Sequence, residues 1–257
     1  MPWDPAQYLK FADHRLRPAI DLLNRIDVAD PAEVYDLGAG AGNVTRLLKA
    51  RWPNARITGV DESHEMLVKA AAGDPEIVWQ RADLATWRPA RPADVIYSNA
   101  ALHWLGDHHR LFPALLSALA PGGVLAVQMP RNFSAPSHTA IADAVRSGPW
   151  RTKLESLIMP APVADPGVYF DLLAPRAAAL DIWESEYLQV LEGEHPVKEW
   201  TKGTWLRPLL DALDEPERSR FEACYAELVR RAYPPRSDGL TLFPFRRLFV
   251  VARARED

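Results

Sequence analysis

Acidic and amide side chains end four apolar runs in the first half of the chain. They are Asp36, Asp61, Asp83 and Asn99, and each run is typical of a buried strand. After the first run comes a turn with glycine at 38, 40 and 42, and then Asn43–Leu48, which is predicted to be helical. Glycines let the backbone approach a ligand closely, and a helix start offers free N–H groups to an anionic group. These residues predict a binding site where the strands end.

The spacing of the glycines narrows the class of ligand. The dinucleotide fingerprint G-x-G-x-x-G requires glycine at position 43, where this chain has Asn43. Asp36, two residues before the first glycine, favours a ligand with a positive centre, and S-adenosylmethionine has one. Asp61 follows about 25 residues later, the distance at which a strand-tip acid accepts ribose hydroxyls. Asp83 is placed to accept the adenine amino group, or else it caps a helix that starts at Leu84.

The elements that carry these residues alternate between strand and helix. Strands are predicted at 34–37, 56–61, 77–84, 94–99 and 123–129, with helical patterns between them. Such alternation favours a parallel sheet covered by helices, which binds ligands at the carboxyl ends of its strands. After Pro130 the alternation stops. Residues 180–187 and 247–254 are predicted as later strands, and 195–233 as helical.

Composition excludes several classes of function. The 257 residues carry a net charge of −4, and without a basic stripe a nucleic-acid partner is not expected. The single cysteine, Cys224, excludes an internal disulfide and fits a reducing cytosol. No apolar run approaches a membrane span, the N-terminus lacks the features of a signal peptide, and no residue spacing predicts a metal site. A cytoplasmic enzyme for small molecules is expected.

Several segments together carry a resemblance to known proteins. They are Trp3–Phe11, Asp36–Asn43, Ala55–Asp61, Ser98–Leu105, Gly123–Pro130, Leu206–Pro208 and Arg247–Ala252. Residues 30–130 resemble the class I S-adenosylmethionine-dependent methyltransferases, and nearly the whole chain resembles the trans-aconitate 2-methyltransferase family. Two departures are visible: the glycine loop has Ala39 and Ala41, and Arg246 adds a charge before the last strand.

The resemblance implies a Rossmann-like α/β sheet of seven strands, the last antiparallel, with a helical lid. It divides the chain into a helical cover of the cofactor site at 1–30, a cofactor-binding core at 31–130 and a helical lid at 131–178. The last two strands lie in 179–257, with a second lid insertion at about 190–235.

The resemblance also implies the chemistry. A methyl group passes from S-adenosylmethionine to a carboxylate of a small tricarboxylic acid, trans-aconitate, giving a monomethyl ester and S-adenosylhomocysteine. Because a carboxylate is ionised at neutral pH, positioning alone is expected, with no catalytic acid or base. The tetrad Asn99–Leu102 differs from the one that grips nucleobases in related enzymes. The alternatives are a hydroxyl or carbon acceptor with His103 as base, a non-enzymatic S-adenosylmethionine-binding protein, and an NAD-linked oxidoreductase.

The expected site residues fall into two groups. Those that would contact the cofactor are Tyr8, Asp36, Gly38, Ala39, Gly40, Asn43, Asp61, Glu62, Met66, Asp83, Leu84, Asn99 and Trp104. Those that would contact the acceptor are Arg207, Arg247, His103, Trp200 and Arg246. Met66 and Trp104 could instead be core residues, and two of the candidate arginines, Arg131 included, are expected to form surface ion pairs. In a period-two strand Arg246 and Arg247 face opposite ways, so Arg247 is expected to enter the pocket and Arg246 to be solvated. His108 and His109 are predicted to be solvated helix residues.

Overall fold

A computed structural model of the chain describes residues 12–256. Its strands are β1 Glu33–Leu37, β2 Arg56–Asp61, β3 Val78–Arg81, β4 Ala93–Asn99, β5 Leu119–Pro130, β6 Ala177–Leu191 and β7 Thr241–Ala254. They form one sheet in the order β3-β2-β1-β4-β5-β7-β6. Neighbouring strands from β3 to β5 pair in parallel, whereas β7 is antiparallel to β5. The predicted α/β sheet of seven strands with an antiparallel last strand is confirmed.

Helices connect the strands of the first half and make up most of the chain between β5 and β7. Within residues 12–256 the α-helices are α1 Ala12–Leu23, α2 Asn43–Arg51, α3 His64–Ala71, α4 His108–Leu116, α5 Pro136–Ser147, α6 Arg151–Leu154, α7 Pro166–Leu173, α8 Pro196–Lys202, α9 Arg207–Asp211 and α10 Glu217–Ala232. Short 3₁₀-helices cover Leu102–Trp104 and Glu155–Leu157. In this part of the chain, no helix has both the length and the apolar content needed to cross a membrane.

Local sequence signals explain where several helices begin. Ser63 caps α3, because its Oγ accepts a hydrogen bond from the backbone N–H of Met66 at 3.3 Å. Pro136 and Pro166 stand in the first turn of α5 and α7. Proline suits that position because its missing N–H would have no partner inside the helix.

The chain divides into two compact units. The sheet unit contains Leu16–Pro130, Pro162–Ser185 and Arg247–Asp257, and the helical unit contains Arg131–Ala161 and Glu186–Arg246. The core of the sheet unit is the buried central strands β1, β4 and β5. The core of the helical unit is an aromatic and aliphatic cluster drawn from α5, α8, α9, α10 and the first half of β7. The lid function expected for 131–178 and 190–235 stays a prediction.

Several strand ends differ from the predicted ones. β6 and β7 are longer than predicted, since β6 runs from Ala177 to Leu191 and β7 begins at Thr241. Burial alternates through the first residues of β7, so the strand continues past Pro244. β3 is shorter than predicted because its pairing with β2 ends at Arg81. The next residue, Ala82, only donates its N–H to the carbonyl oxygen of Asp61 at 3.1 Å.

Candidate active site

The glycine loop at 38–42 joins β1 to α2 at the carboxyl edge of the sheet. Gly38 has φ +82°, and a Cβ added there would lie 2.1 Å from the Cβ of Ala101, so both its conformation and its surroundings require glycine. The N–H groups of Gly38 and Ala39 both donate to the carbonyl oxygen of Val60. Gly40 has φ +54°, and a Cβ there would meet nothing within 4 Å. Gly40 therefore leaves open space at the loop tip, as a cradle for a ligand would.

Asp36 connects the end of β1 with the first turn of α2. Its side chain is buried, and its Oδ2 accepts a hydrogen bond from Thr45 Oγ1 at 2.6 Å. Burial raises the pKa of Asp36 to about 7, and the nearby charge of Asp61 adds to this, while the Thr45 hydrogen bond acts in the opposite direction. The contact ties the end of β1 to α2 and so holds the two ends of the glycine loop together.

Asp61 stands where β2 ends and binds two backbone segments at once. Its Oδ2 accepts the N–H of Gly40 at 2.8 Å, and its Oδ1 accepts the N–H of Ser63 at 2.8 Å. Each carboxylate oxygen can accept a second hydrogen bond, so both remain able to receive ribose hydroxyls. Glu62 beside it is exposed, and Met66 of α3 is buried. Asn43, the first residue of α2, is also exposed.

Asp83 and Leu84 follow β3. Asp83 is exposed, and its Oδ1 accepts the N–H of Ala85 at 2.9 Å. The segment forms a turn and not a helix, so Asp83 caps a turn while its Oδ2 makes only a 3.5 Å contact with Thr86. Leu84 is buried, with its Cδ1 3.9 Å from the position of a Cβ at Gly38. Leu84 therefore lies beside the glycine loop, and Asp83 keeps an oxygen able to accept a hydrogen bond.

The exit from β4 carries Asn99, His103 and Trp104. Asn99 Oδ1 is buried, and within residues 12–256 no hydrogen-bond donor reaches it. Ala100 follows with φ +53°, a left-handed conformation that a non-glycine residue adopts at a cost. His103 is buried in the 3₁₀-helix and packs on the half-exposed Trp104, with 4.6 Å between ring centroids. A buried acceptor such as Asn99 Oδ1 is what a bound donor group would satisfy.

His108, which is not among the predicted site residues, contacts the segment that follows β4. The prediction that His108 is solvated is wrong. The ring is buried, with Nε2 3.0 Å from the carbonyl oxygen of Leu102 and Nδ1 2.8 Å from the hydroxyl of Tyr169. A carbonyl oxygen can only accept, so Nε2 carries the proton and Tyr169 donates to Nδ1. Burial lowers the pKa of His108, which favours this neutral form. His108 thus fixes the backbone next to His103.

Arg247 is a buried guanidinium in β7. Only 3% of the residue is exposed, and its Nη1 donates to Gln128 Oε1 of β5 at 3.3 Å. Arg246 is exposed, and its Nη2 lies 4.0 Å from Glu186 Oε2. The predicted opposite directions of the two side chains are therefore confirmed. A role for either arginine in substrate binding stays a prediction.

Two other acceptor candidates lie in the helical unit. Arg207 Nε donates to both carboxylate oxygens of Asp211 at 3.1 and 2.9 Å, one turn along α9, which is the contact of a surface ion pair. Trp200 is buried between Phe243 and Phe245, with 5.7 Å to each ring. These contacts are those of a core side chain, so they do not support the acceptor role predicted for Trp200.

A cavity within the helical unit has a different character. Its walls include Phe133, His138, Ile141, Trp205 and Leu209. Burial lowers the pKa of His138 to about 4, so this histidine is neutral at physiological pH. The cavity is apolar and aromatic and suits an uncharged group better than a polycarboxylate. Of the remaining predicted residues, Tyr8 lies outside the described part of the chain. Within residues 12–256, no cluster of three side chains that could bind a metal ion occurs.

Comparison with known proteins places this geometry in a family context. A family model described as "Methyltransferase domain" matches residues 8–176. The trans-aconitate 2-methyltransferase of Azoarcus sp. (strain BH72) is 50% identical over 250 residues, covering 97% of this chain and 98% of that protein. The trans-aconitate 2-methyltransferase of Streptomyces avermitilis is 48% identical over 259 residues, covering 97% and 96%.

Solved structures share the fold at low sequence identity. The YcgJ protein of Bacillus subtilis matches with a TM-score of 0.59 and 15% identity, covering 95% of this chain and 100% of that one. Phosphoethanolamine N-methyltransferase 2 of Haemonchus contortus, in complex with phosphomonomethylethanolamine and S-adenosylhomocysteine, matches with a TM-score of 0.56 and 14% identity. That match covers 93% of this chain and 52% of that one. At such identities these matches establish the fold alone.

Proposed function

The chain belongs to the trans-aconitate 2-methyltransferase family, and we propose that it methylates a carboxylate of trans-aconitate with S-adenosylmethionine as the methyl donor. The products are a monomethyl ester and S-adenosylhomocysteine. The observation that carries the acceptor class is the buried guanidinium of Arg247, held at the carboxyl edge of the sheet by the neutral amide of Gln128. A guanidinium offers several N–H donors in a fixed planar arrangement, which suits a carboxylate ligand.

The donor site is proposed at the ends of β1 to β4. The open space at Gly40 and the buried acceptor Asn99 Oδ1 fit a ligand that has a carboxylate and an amino group, such as a methionine moiety. Asp61 is assigned the ribose hydroxyls and Asp83 the adenine amino group, since each keeps acceptor capacity beyond its backbone contacts. Met66 and Leu84 are assigned the faces of the adenine ring, with Gly38, Ala39, Asn43, Glu62 and Trp104 lining the site.

The residues of this chain have a positioning task. S-adenosylmethionine, when bound, supplies a methyl group on a cationic sulfur that leaves as a neutral thioether. The acceptor carboxylate is already ionised at neutral pH, so no side chain needs to remove a proton. Arg247 would fix the acid so that one carboxylate oxygen faces the methyl carbon, and the buried His103 would exclude water beside it. Alignment of this kind is worth about 7–11 kcal/mol in favourable cases.

The decisive experiment is a panel of small di- and tricarboxylates incubated with the protein and isotopically labelled S-adenosylmethionine, with products read by mass. We expect a labelled monomethyl ester from trans-aconitate. Labelling of a hydroxyl or carbon acceptor, with none of the acids labelled, would contradict the proposal. A partner other than the small-molecule acid is not proposed, and the single cysteine supports a cytoplasmic location.

A matched pair of variants tests the anion-binding role of Arg247. Arg247→Gln is expected to lower kcat/KM for trans-aconitate by about 30- to 1000-fold, the loss typical of a charge-assisted contact in a dry pocket. Arg246→Gln, its exposed neighbour, is expected to change kcat/KM by less than about fivefold. Both variants should keep affinity for S-adenosylhomocysteine within about threefold. If Arg246→Gln lowered kcat/KM and Arg247→Gln did not, the roles assigned to the two arginines would be reversed. If neither variant changed kcat/KM, the acid would be bound elsewhere and Arg207 would be the next residue to test.

A further inference from the structure

Gln128 is a fully buried amide near the end of β5. In the sheet it stands in register with Asn99 of β4 on one side and with Phe249 of β7 on the other. Residues paired across adjacent strands, and residues two apart on one strand, place their side chains on the same face. Gln128, Asn99 and Arg247 therefore share one face of the sheet unit at its carboxyl edge.

The contact with Arg247 fixes which way the Gln128 amide points. A guanidinium has only donors, so the atom that receives its hydrogen bond at 3.3 Å must be the amide oxygen. The amide nitrogen Nε2, with two N–H groups, is then the atom of the amide that is not used by Arg247. It is buried, and no acceptor in residues 12–256 lies within hydrogen-bond distance of it.

Two buried polar atoms on adjacent strands are thus unsatisfied in complementary ways. Gln128 Nε2 needs an acceptor and Asn99 Oδ1 needs a donor. Buried polar groups are nearly always satisfied, so such a pair at the edge where sheets of this kind bind ligands indicates two ligand groups. The Asn99 side suits a donor such as an amino group. The Gln128 side, next to a cation, suits an anion.

We infer that Gln128 binds the acceptor, donating from Nε2 to the same carboxylate that Arg247 holds. The inference rests on the proposed function and adds a second residue to the acceptor site. Arg247 supplies the charge and also orients the amide, so that a donor and not an acceptor faces the substrate. A glutamate at this position would form an ion pair with Arg247 and repel a polyanionic acceptor. The residue at position 128 would therefore make the site selective for an anionic acceptor.

The test compares Gln128→Glu with Gln80→Glu, which adds the same charge on the edge strand β3. We expect Gln128→Glu to raise KM for trans-aconitate by about 100-fold or more, through the lost hydrogen bond and the added repulsion. Affinity for S-adenosylhomocysteine should stay within about threefold, and the melting temperature should not fall, because the new carboxylate pairs with Arg247. Gln80→Glu should leave KM within about twofold. A wild-type KM in a folded Gln128→Glu variant would overturn the inference.

Gln128→Leu separates the lost donor from the added charge. It is close in size to glutamine but cannot donate, and we expect KM to rise by about 10-fold. If Gln128→Leu and Arg247→Gln act on one carboxylate, the double variant should lose less than the product of the two single effects. Independent, multiplicative effects would contradict a shared carboxylate.

Equilibrium binding distinguishes failure of this inference from failure of the proposed function. Calorimetric titration of trans-aconitate into the protein saturated with S-adenosylhomocysteine measures acceptor binding without turnover. Binding and methylation by wild type that survive unchanged in Gln128→Glu would remove only the role of Gln128. Absence of both binding and methylation in wild type would overturn the proposed function and the Gln128 assignment with it. If wild type binds trans-aconitate without methylating it, a dissociation constant raised about 100-fold in Gln128→Glu would support the role of Gln128, and an unchanged one would overturn it.

Discussion

Asp36→Asn tests the electrostatics of the site through protein stability. The substitution keeps an oxygen that can accept the hydrogen bond from Thr45 Oγ1 and removes a buried carboxyl group. The pKa of Asp36 is raised by burial from its usual 3.8 to about 7 in the folded protein. Because the folded pKa is the higher one, the group favours folding at low pH. Its contribution is complete below pH 3.8 and is lost as pH rises towards 7.

The size of the effect follows from the difference in pKa. Each pKa unit corresponds to about 1.4 kcal/mol, so the contribution lost between pH 3.8 and 7 is about 4 kcal/mol. Between pH 5 and pH 7.5, wild type should lose about 3 kcal/mol of unfolding free energy relative to Asp36→Asn. Above about pH 8 the difference should stay constant, because Asp36 is then ionised in both the folded and the unfolded state.

The assay is urea unfolding without ligand at pH 5, 6, 7 and 8 for wild type, Asp36→Asn and Asp171→Asn. Asp171 is an exposed residue of α7, so its variant controls for the general effect of removing one acid. We expect the stability of Asp36→Asn to gain on wild type steadily from pH 5 to pH 7, while Asp171→Asn runs parallel to wild type. A pH-independent difference for Asp36→Asn would refute the argument, because Asp36 would then be ionised in the fold throughout this range.

Three further predictions concern the donor site and the chemical step. Asp61→Asn should weaken binding of S-adenosylhomocysteine by about 1.5–3 kcal/mol, measured by calorimetry, and unchanged affinity in a folded variant would restrict Asp61 to its contacts with Gly40 and Ser63. Gly38→Ala should lower the melting temperature, because its Cβ would lie 2.1 Å from that of Ala101. Gly40→Ala should fold with a loss of about 1–2 kcal/mol in unfolding free energy and should bind S-adenosylhomocysteine more weakly. Equal effects of both variants on melting and binding would contradict the different roles assigned to the two glycines. For trans-aconitate, log kcat should be nearly flat between about pH 6.5 and 9, and His103→Ala should lower kcat by less than about tenfold. A fall of kcat with an apparent pKa near the ordinary histidine value, absent in His103→Ala, would favour the hydroxyl- or carbon-acceptor alternative.

The parts of the fold that sequence could predict are those set by local pattern. Asp36, Asp61 and Asn99 each end an apolar run, and the structure places all three at the ends of parallel strands. The opposite directions of Arg246 and Arg247 follow from a period of two residues in one strand, which requires no knowledge of the partner strand. These features depend on residues that are close in the sequence, and so the local sequence pattern is sufficient to predict them.

The parts that sequence could not predict depend on distant partners. His108 is polar and begins a helix, and its burial includes a contact with Tyr169, which is 61 residues away in the sequence. Trp200 stands among charged residues in sequence, but Phe243 and Phe245 of β7 enclose it. Gln128 lies in an ordinary apolar strand, and its chemistry becomes visible only when Arg247 fixes the direction of its amide. Tertiary packing overrides the local signal at each of these positions.

The described residues sort charge along the carboxyl edge of the sheet unit in a way that matches the two proposed ligands. The ends of β1 and β2 carry the acids Asp36 and Asp61, and the pKa of Asp36 is raised by its burial and by the nearby charge of Asp61. The ends of β4 and β5 carry the neutral amides Asn99 and Gln128, and Arg247 follows on β7. A cationic methyl donor is favoured beside the acids and an anionic acceptor beside the guanidinium. The reaction would turn the cationic sulfur into a neutral thioether and one carboxylate into a neutral ester, so each product would carry one charge fewer for this edge to attract.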